Sequence, residues 1–523
     1  MKEVIVHPSP ELHTTIHDVP IPEPGPDEIV IKVIVAGSNV KDWLHITAQN
    51  ISMNSGDDIA GIIYSIGNKV SATHEFAPGD RVAAFHPMLQ PHGAYAEYAV
   101  APMHTTFKLP DEISFEEAAT LPLVLTTAAL SLYCRQHLPP PWSPRSSNSP
   151  PIPLIIYGAS SSLGTFAIKL ARASNIHPII AIAGFSASHL APLLDTSKGD
   201  ALIDYRPGIE AMKVAVKEAL KGLECRHALD AISSKGTWIP VSQMLPPSSA
   251  TATSYLSVVA GSNKYDEEEI QEGVEIVYTM VGSVHTGKYK PTMPKQPNAE
   301  EVRNDPEWAY LFFRYFGRMV SDGRLTAHPF EVVEGGLEGV ENGLKMLKDG
   351  KARWVKFVYR PSPRLLFIYG TLLAKPLLAW ALTGDASQTD VVSDLMFPAK
   401  VDGYARFSVH NCDYPAVVKH DASSSVSGCL LMLKTTSQRR KLDDFEGEAY
   451  LATPVSVTLL EGNEGHNTTV DADMYVWNGE MNAVSSDPWD LDTFVKERLE
   501  DWIELFAGME LVGEEDEVTL GGE

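Results

Sequence analysis

The run Pro153-LIIYGASSSLGTFAIKLARAS-Asn175 decides how most of this chain folds. Four apolar residues, Leu154 to Tyr157, form a buried strand; Gly158-Ala159-Ser160-Ser161-Ser162-Leu163-Gly164 is a turn of small residues; a helical pattern follows at once. Small side chains let a backbone approach a pyrophosphate, and a helix N-terminus favours its charge. On its own the fragment is equally an ordinary strand–helix turn, because serines stand where the dinucleotide fingerprint has glycine. Its surroundings favour the first reading. Strands follow at HPIIAIAG, ALIDY, HALDAI and TSYLSVVAG, with helical patterns between most of them, and that alternation describes an α/β, doubly wound parallel sheet.

The end of the second strand tests which dinucleotide is bound. A carboxylate there would hold the ribose 2′-hydroxyl of NAD, but Ala183-GFSASH-Leu190 has none. Ser186, Ser188 and His189 are suited to donate to a 2′-phosphate, with Tyr205 as a further contact, so the expected cofactor is NADPH.

Outward from this core the composition changes three times. Residues 1–137 are strand-rich, with EIVIKVIVAG and turns at PEPGPDE and FAPGDRV. Residues 138–153 carry seven prolines and read as an irregular insertion. The doubly wound region spans 154–324, and a helix (GLEGVENGLKML) and a strand (RWVKFVYR) bring the chain to 360, returning residues 325–360 to the first domain. A new strand-rich unit starts after PSPR and covers 364–485; an acidic segment, 486–523, ends the chain. Leu365–Leu382 is apolar enough to suggest a membrane span, but Gly370-Thr371 and Lys375-Pro376 break it, so a buried strand, a turn and a short helix are expected.

Of 523 residues, 44% are apolar and 21% charged, with a net charge of −25. That excludes disordered and collagen-like classes and disfavours a polyphosphate partner. The charge is uneven: residues 361–523 hold 11 Lys+Arg against 28 Asp+Glu. Much of the excess lies after Asp487, where WDLDTFVKERLEDWIELF reads as one acidic amphipathic helix. Four scattered cysteines give neither a disulfide framework nor an all-cysteine zinc site. MKEVIVHPSPELHTT lacks the apolar core of a signal peptide, so a cytoplasmic protein is expected.

In combination, AGSNVKDW (36–43), GDDIAGII (56–63), FAPGDRVAAF (76–85), GAYAEYAV (93–100), EEAATLPLVLTTAAL (116–130) and the run 336–360 resemble the zinc-free quinone or enoyl reductase branch of the medium-chain dehydrogenase/reductases, and VGSVHT (281–286) is similar to the fungal trans-enoyl reductase group. The resemblance implies a split GroES-like catalytic domain around a Rossmann domain, and hydride transfer to an activated C=C or a quinone. Asn39 and Tyr95 are expected to line the reacting pocket, with core packing in a strand the equal alternative for Tyr95 and Tyr98. Thr127 resembles the residue that contacts the nicotinamide amide, and Lys356 a lysine that returns toward the cofactor. Val40 and Leu44 stand where the family often has Pro and Lys. Ser38-Asn39 and Gly56-Asp57-Asp58 replace the zinc ligands of zinc-dependent relatives; His45, His86 and His92 are left without sulfur or a spaced partner, so no metal is expected.

The C-terminal third carries a second constellation. Phe367-IYGT-Leu372 is a strand running into a glycine turn, and Leu442-DDFEGEA-Tyr450 carries a glutamate, Glu446, which by itself reads as an exposed helix-end charge and which an apolar-edged site would give a raised pKa for general acid/base work. With GY-x-R, YPA and YVW in order, this set resembles the γ-glutamylcyclotransferase-like (avirulence-induced-gene-like) family. That implies a small mixed α+β barrel in which Tyr369, Gly370, Thr371 and Leu372 grip the glutamyl α-carboxylate. Glu446 relays a proton while the substrate's own amine attacks its γ-carbonyl, giving 5-oxoproline. The expectation is a reductase fused to a cyclotransferase-like unit, acting on small molecules with neither nucleic acid nor membrane as partner, as monomer or homodimer. Two alternatives stay open: the C-terminal unit is a non-catalytic binding module, or the chain joins two separate proteins.

Overall fold

The computed structural model describes all residues except 185–186, 353, 362–363, 434–435, 461–468 and 507–523. The chain divides into two compact units, Met1–Pro361 and Ser362–Glu523.

In the first unit the quoted run forms strand Leu154–Tyr157 and helix Ser162–Ala173. The strand is central in a six-stranded parallel sheet whose spatial order is Ala201–Asp204, Ile179–Ala183, Leu154–Tyr157, His227–Asp230, Ser254–Val258 and Val274–Tyr278. The order reverses beside the first strand, which is where an open α/β sheet presents its ligand crevice. The sixth strand, VEIVY, was not legible in sequence: a charged residue sits mid-strand on an edge, so the run lacks the continuous apolar character of its neighbours.

The second sheet of this unit is built around the long strand Glu28–Gly37, flanked by Asp58–Ile66 and by the late strand Lys356–Tyr359. Val358 pairs with Gly37 and Tyr359 with Ala36, so the end of the unit's chain closes onto its beginning. Ser38 reinforces the join, its backbone N–H and Oγ–H both donating to Phe357 O, at 3.0 and 2.9 Å. The Pro-rich segment 138–153 has no regular element but is anchored: Trp142 packs its ring on Tyr133, Phe312 and Tyr315. Among the described residues one helical run, Phe115–Arg135, is long and apolar enough to cross a membrane, and 83% of its apolar stretch is buried in the protein.

The second unit is a closed five-stranded barrel in the order Leu366–Ile368, Ser425–Leu431, Met396–Asp402, Tyr450–Leu459, Thr469–Trp477. The apolar Leu365–Leu382 run is the expected strand and turn followed by helix Lys375–Thr383, which Pro376 opens and Gly384 ends. The acidic helix expected near the C-terminus is instead two, Leu491–Glu497 and Leu499–Phe506. The break falls at Arg498, whose backbone (φ −129°) leaves the helical region while its guanidinium reaches Asp413 and Asp501.

Candidate functional site

A cleft of about 1180 Å³ opens in the first unit between the two sheets. Its floor includes the quoted turn, with Ser161, Ser162 and Leu163 lining it. Ser161 caps the helix, its Oγ accepting from Gly164 N at 3.0 Å. Gly158 takes φ +74°, and a Cβ on Gly164 would stand 2.5 Å from Gly158 O and 2.6 Å from Ala159 Cα, so the turn folds this tightly only without one. Gly158, Ala159 and Ser160 thus shape the turn, while the next three residues face the cleft.

Asp58 organises the opposite wall. It is fully buried and takes three donors: Asn39 Nδ2 at 2.9 Å, Leu123 N at 2.7 Å, and the ammonium of Lys356. Lys356 also donates to Asn39 Oδ1 at 3.3 Å. One carboxylate thereby fixes the amide orientation of Asn39, holds Lys356 and caps helix Pro122–Ala129, which carries Thr127. Asn39, Thr127 and Lys356 all line the cleft. Thr127 donates its own hydroxyl hydrogen to Leu123 O at 2.8 Å, leaving its oxygen to accept from a carboxamide.

Tyr95 does not line the cleft; of the two readings its sequence left open, it takes core packing. It is fully buried, donating to Asp42 Oδ2 at 2.6 Å and meeting Tyr359 edge-on. The phenol needs a buried acceptor, and Asp42, in the first turn of helix Val40–Gln49, supplies one. Asp42 also accepts from Asn39 N at 2.8 Å, so Tyr95 bears on the site only through Asp42. His189 packs against Trp354 and His328, which line the cleft, and stands behind them. Tyr205 is 43% exposed at the end of the parallel sheet, its hydroxyl 3.3 Å from where a Cβ on Gly184 would lie. Ser186 lies outside the described residues. Among the described residues no three His, Cys, Asp or Glu side chains come together as a metal-ligand set, and both ring nitrogens of His86 face carbonyl oxygens, of Val100 and Gln90.

Sequence reasoning missed Asp58 as the hub, and Lys41 and His328 as cleft residues. Asp58 stood in a quoted motif, but nothing in GDDIAGII tells which carboxylate turns inward or that residue 356 returns beside it.

The second unit brings Tyr369, Gly370, Thr371, Leu372 and Glu446 around one small cavity, with Tyr414 and Pro415 closing it. Burial and neighbouring Asp443 push the Glu446 carboxyl up to about 8. Arg406 Nη1 donates to Tyr369 O at 2.5 Å and steadies the strand end that leads into the turn. The cavity measures about 10 Å³, room for one water at most.

A parallel dinucleotide-type sheet joined to a GroES-like sheet, with the cleft between them, defines a medium-chain dehydrogenase/reductase. Residues 25–111 match the family model for the alcohol dehydrogenase GroES-like domain. The fold is shared with a putative zinc-dependent alcohol dehydrogenase of Rhizobium etli (TM-score 0.53, 19% identity, 69% of this chain and 98% of that one) and with CurK enoyl reductase (TM-score 0.51, 18% identity, 68% and 98%). The chain is 40% identical over 341 residues to trans-enoyl reductase fsr4 of Gibberella fujikuroi, covering 65% of this chain and 92% of that one. It is 30% identical over 374 residues to trans-enoyl reductase resD of Aspergillus sclerotiorum, covering 68% and 99%. The chain belongs to the trans-enoyl reductase family. Residues 366–491 match the model described as gamma-glutamyl cyclotransferase, AIG2-like, which the five-stranded barrel fits.

Proposed function

We propose that the first unit reduces the C=C of an enoyl or enone substrate with NADPH, a quinone being the other acceptor of this chemical type. The observation that carries the reading is the Asp58 hub, which aims Asn39, Lys356 and the Thr127 helix into one cleft. The Gly158–Gly164 turn and the Thr127 oxygen fit a nicotinamide dinucleotide, which supplies a hydride when bound. As the substrate carbonyl gains negative charge, the second Nδ2 hydrogen of Asn39 and a remaining ammonium hydrogen of Lys356 are donors suited to its oxygen. Both are held in place beforehand by Asp58, so little reorganisation accompanies the reaction. The phosphate-bearing cofactor is favoured because the described residues that directly follow strand Ile179–Ala183 carry no carboxylate until Asp195, while Tyr205 stands near Gly184 and Asp204, beside Ala183, is engaged by Arg206. The test is oxidation of NADPH and NADH with enones, quinones and enoyl thioesters. The reading expects kcat/KM at least tenfold higher with NADPH and turnover of an activated C=C; inertness to every acceptor overturns it.

A second activity is favoured by the convergence of Glu446 with the Tyr369–Leu372 turn. The turn would receive a glutamyl α-carboxylate. Glu446 would take a proton from the α-amine as it attacks the γ-carbonyl and return it to the leaving amine, so that 5-oxoproline and a free amine form without a covalent enzyme intermediate. Release of 5-oxoproline from γ-glutamyl amines, lost in Glu446→Gln, tests this. Binding of such a compound without turnover would make the unit a binding module instead.

A further inference from the structure

Beneath the cleft wall lies a second group of charges that the reductase reading leaves unused. Lys41 lines the cleft, with its side chain 12% exposed. Its Nζ sits 2.8 Å from Asp42 Oδ1, forms an ion pair with Asp57 and donates to Ser55 O at 2.6 Å. Asp42 in turn receives Tyr95 and the backbone of Asn39. Because Asn39 also bonds Asp58 and Lys356, the two groups form one continuous network.

The network's charge does not balance. Three carboxylates, Asp42, Asp57 and Asp58, face two ammoniums, Lys41 and Lys356, and every one of these side chains is nearly or wholly buried. Tyr95 and Tyr359 are the neutral groups packed on it, and His45 and His86 face Lys41. Burial keeps both histidines neutral, at about 4, so they cannot offset the surplus carboxylate. An isolated buried negative charge is costly enough that the group binds a proton instead. Burial raises both Asp42 and Asp57; burial and the adjacent carboxylates push Asp57 up to about 7, and among the described residues Asp57 Oδ1 has no hydrogen-bond partner.

Reduction of a C=C consumes one hydride and one proton, and this network holds a spare proton beside the cleft. We infer that the Lys41–Asp57 pair is the proton store of the reduction, with Lys41 protonating the substrate and Asp57 reloading Lys41. The inference rests on the reductase reading of the cleft. When hydride reaches the β-carbon, the π pair of the C=C passes to the α-carbon and carbonyl oxygen. Lys41 Nζ, whose three hydrogens are held by Asp42, Asp57 and Ser55 O in the resting protein, releases Ser55 O and turns that hydrogen to the α-carbon, where an N–H bond breaks and a C–H bond forms, leaving a lone pair on Nζ. The O–H bond of protonated Asp57 breaks next, its proton restores the ammonium, and the carboxylate takes a proton from water.

The test uses the full chain with Lys41→Met, Lys41→Ala and Asp57→Asn. Lys41→Met is expected to lower kcat about 100-fold while NADPH binding, read from the fluorescence of the bound nicotinamide, changes less than twofold. Added primary amines should rescue Lys41→Ala at rates that follow amine acidity, which a merely structural lysine would not show. The wild-type rate should fall above about pH 7 as Asp57 loses its proton, and Asp57→Asn should remove that limb. In the protein without substrate, an infrared carboxylic-acid band should titrate near the same pH and vanish in Asp57→Asn. A Lys41→Met kcat within threefold of wild type, or a band that persists in Asp57→Asn, overturns the proton store. If the wild type reduces nothing, the reductase reading falls, and the infrared titration still decides whether the proton is stored.

Discussion

Asn39 Nδ2 donates to Asp58 Oδ2 across 2.9 Å, at the point where the start of the chain meets its return at residue 356. Neutralising Asp58 leaves the Lys356 ammonium buried without its counter-charge. Removing one partner of a buried pair typically costs about 3–5 kcal/mol. Asp58→Asn is therefore expected to lower the unfolding free energy of the first unit by about that amount in urea titration. Reductase kcat/KM should fall at the same time, because Asn39 and Lys356 lose their common anchor. A variant of unchanged stability and activity would show that Asp58 is not the hub.

The turn after Leu154–Tyr157 yields a sharper geometric prediction. Since a Cβ on Gly164 would sit 2.5 Å from Gly158 O, Gly164→Ala must push the helix off the strand end or reopen the turn. Cofactor affinity should drop at least tenfold, measured by nicotinamide fluorescence, with loss of thermal stability. Ser161→Ala, which removes the cap to Gly164 N and a hydroxyl that faces the cleft, should cost about 1 kcal/mol of stability and lower affinity less than Gly164→Ala does.

For Glu446 the pH dependence has a definite sign. Its folded value, about 8, lies above the ordinary glutamate range. Below pH 4 the folded and unfolded chains are both protonated there. As pH rises from about 4.5 to 8 only the unfolded state releases the proton, so stability falls across that window and levels off above it. Glu446→Gln, which cannot ionise, should raise the melting temperature of the second unit relative to wild type at pH 8 and leave it unchanged at pH 4. An equal effect at both values would mean that the carboxyl is not perturbed by burial.

The two architectures were legible because each rests on local signals: period and glycine placement around Leu154, and an apolar strand followed by breaking residues around Gly370. Residue types in motifs were legible as well, hence Thr127, Lys356, Asn39 and Glu446 all line a cleft or cavity. What a side chain does once buried was not. Tyr95 sits in a strand-like motif that gives no sign of Asp42, 53 positions away, and Asp58 is joined to Lys356 across 298 positions. The split of the C-terminal helix at Arg498 is set by Asp413, also distant in sequence. Partnerships of this kind are tertiary, and periodicity carries no information about them.

Asp413 leads to the last prediction. Its Oδ2 accepts from Arg498 Nε and Trp502 Nε1, both at 3.0 Å, and its backbone oxygen from Trp489 Nε1 at 2.8 Å. It directly precedes Tyr414 and Pro415, which close the cavity over Glu446. The cavity measures about 10 Å³, and the segment that puts Tyr414 and Pro415 on its lining is tethered through Asp413 to Trp489 and to the helix Leu499–Phe506 and its preceding Arg498; loosening that tether is expected to ease entry of a glutamyl group. Asp413→Ala removes two of the three tethers and keeps the backbone one. Stopped-flow tryptophan fluorescence should then show γ-glutamyl amine binding several-fold faster than in wild type. The variant should also be less stable, through the lost Trp502 hydrogen bond more than through the exposed Arg498 pair. Unchanged association with that loss of stability would mean that the tether only holds the helices down and does not gate the cavity.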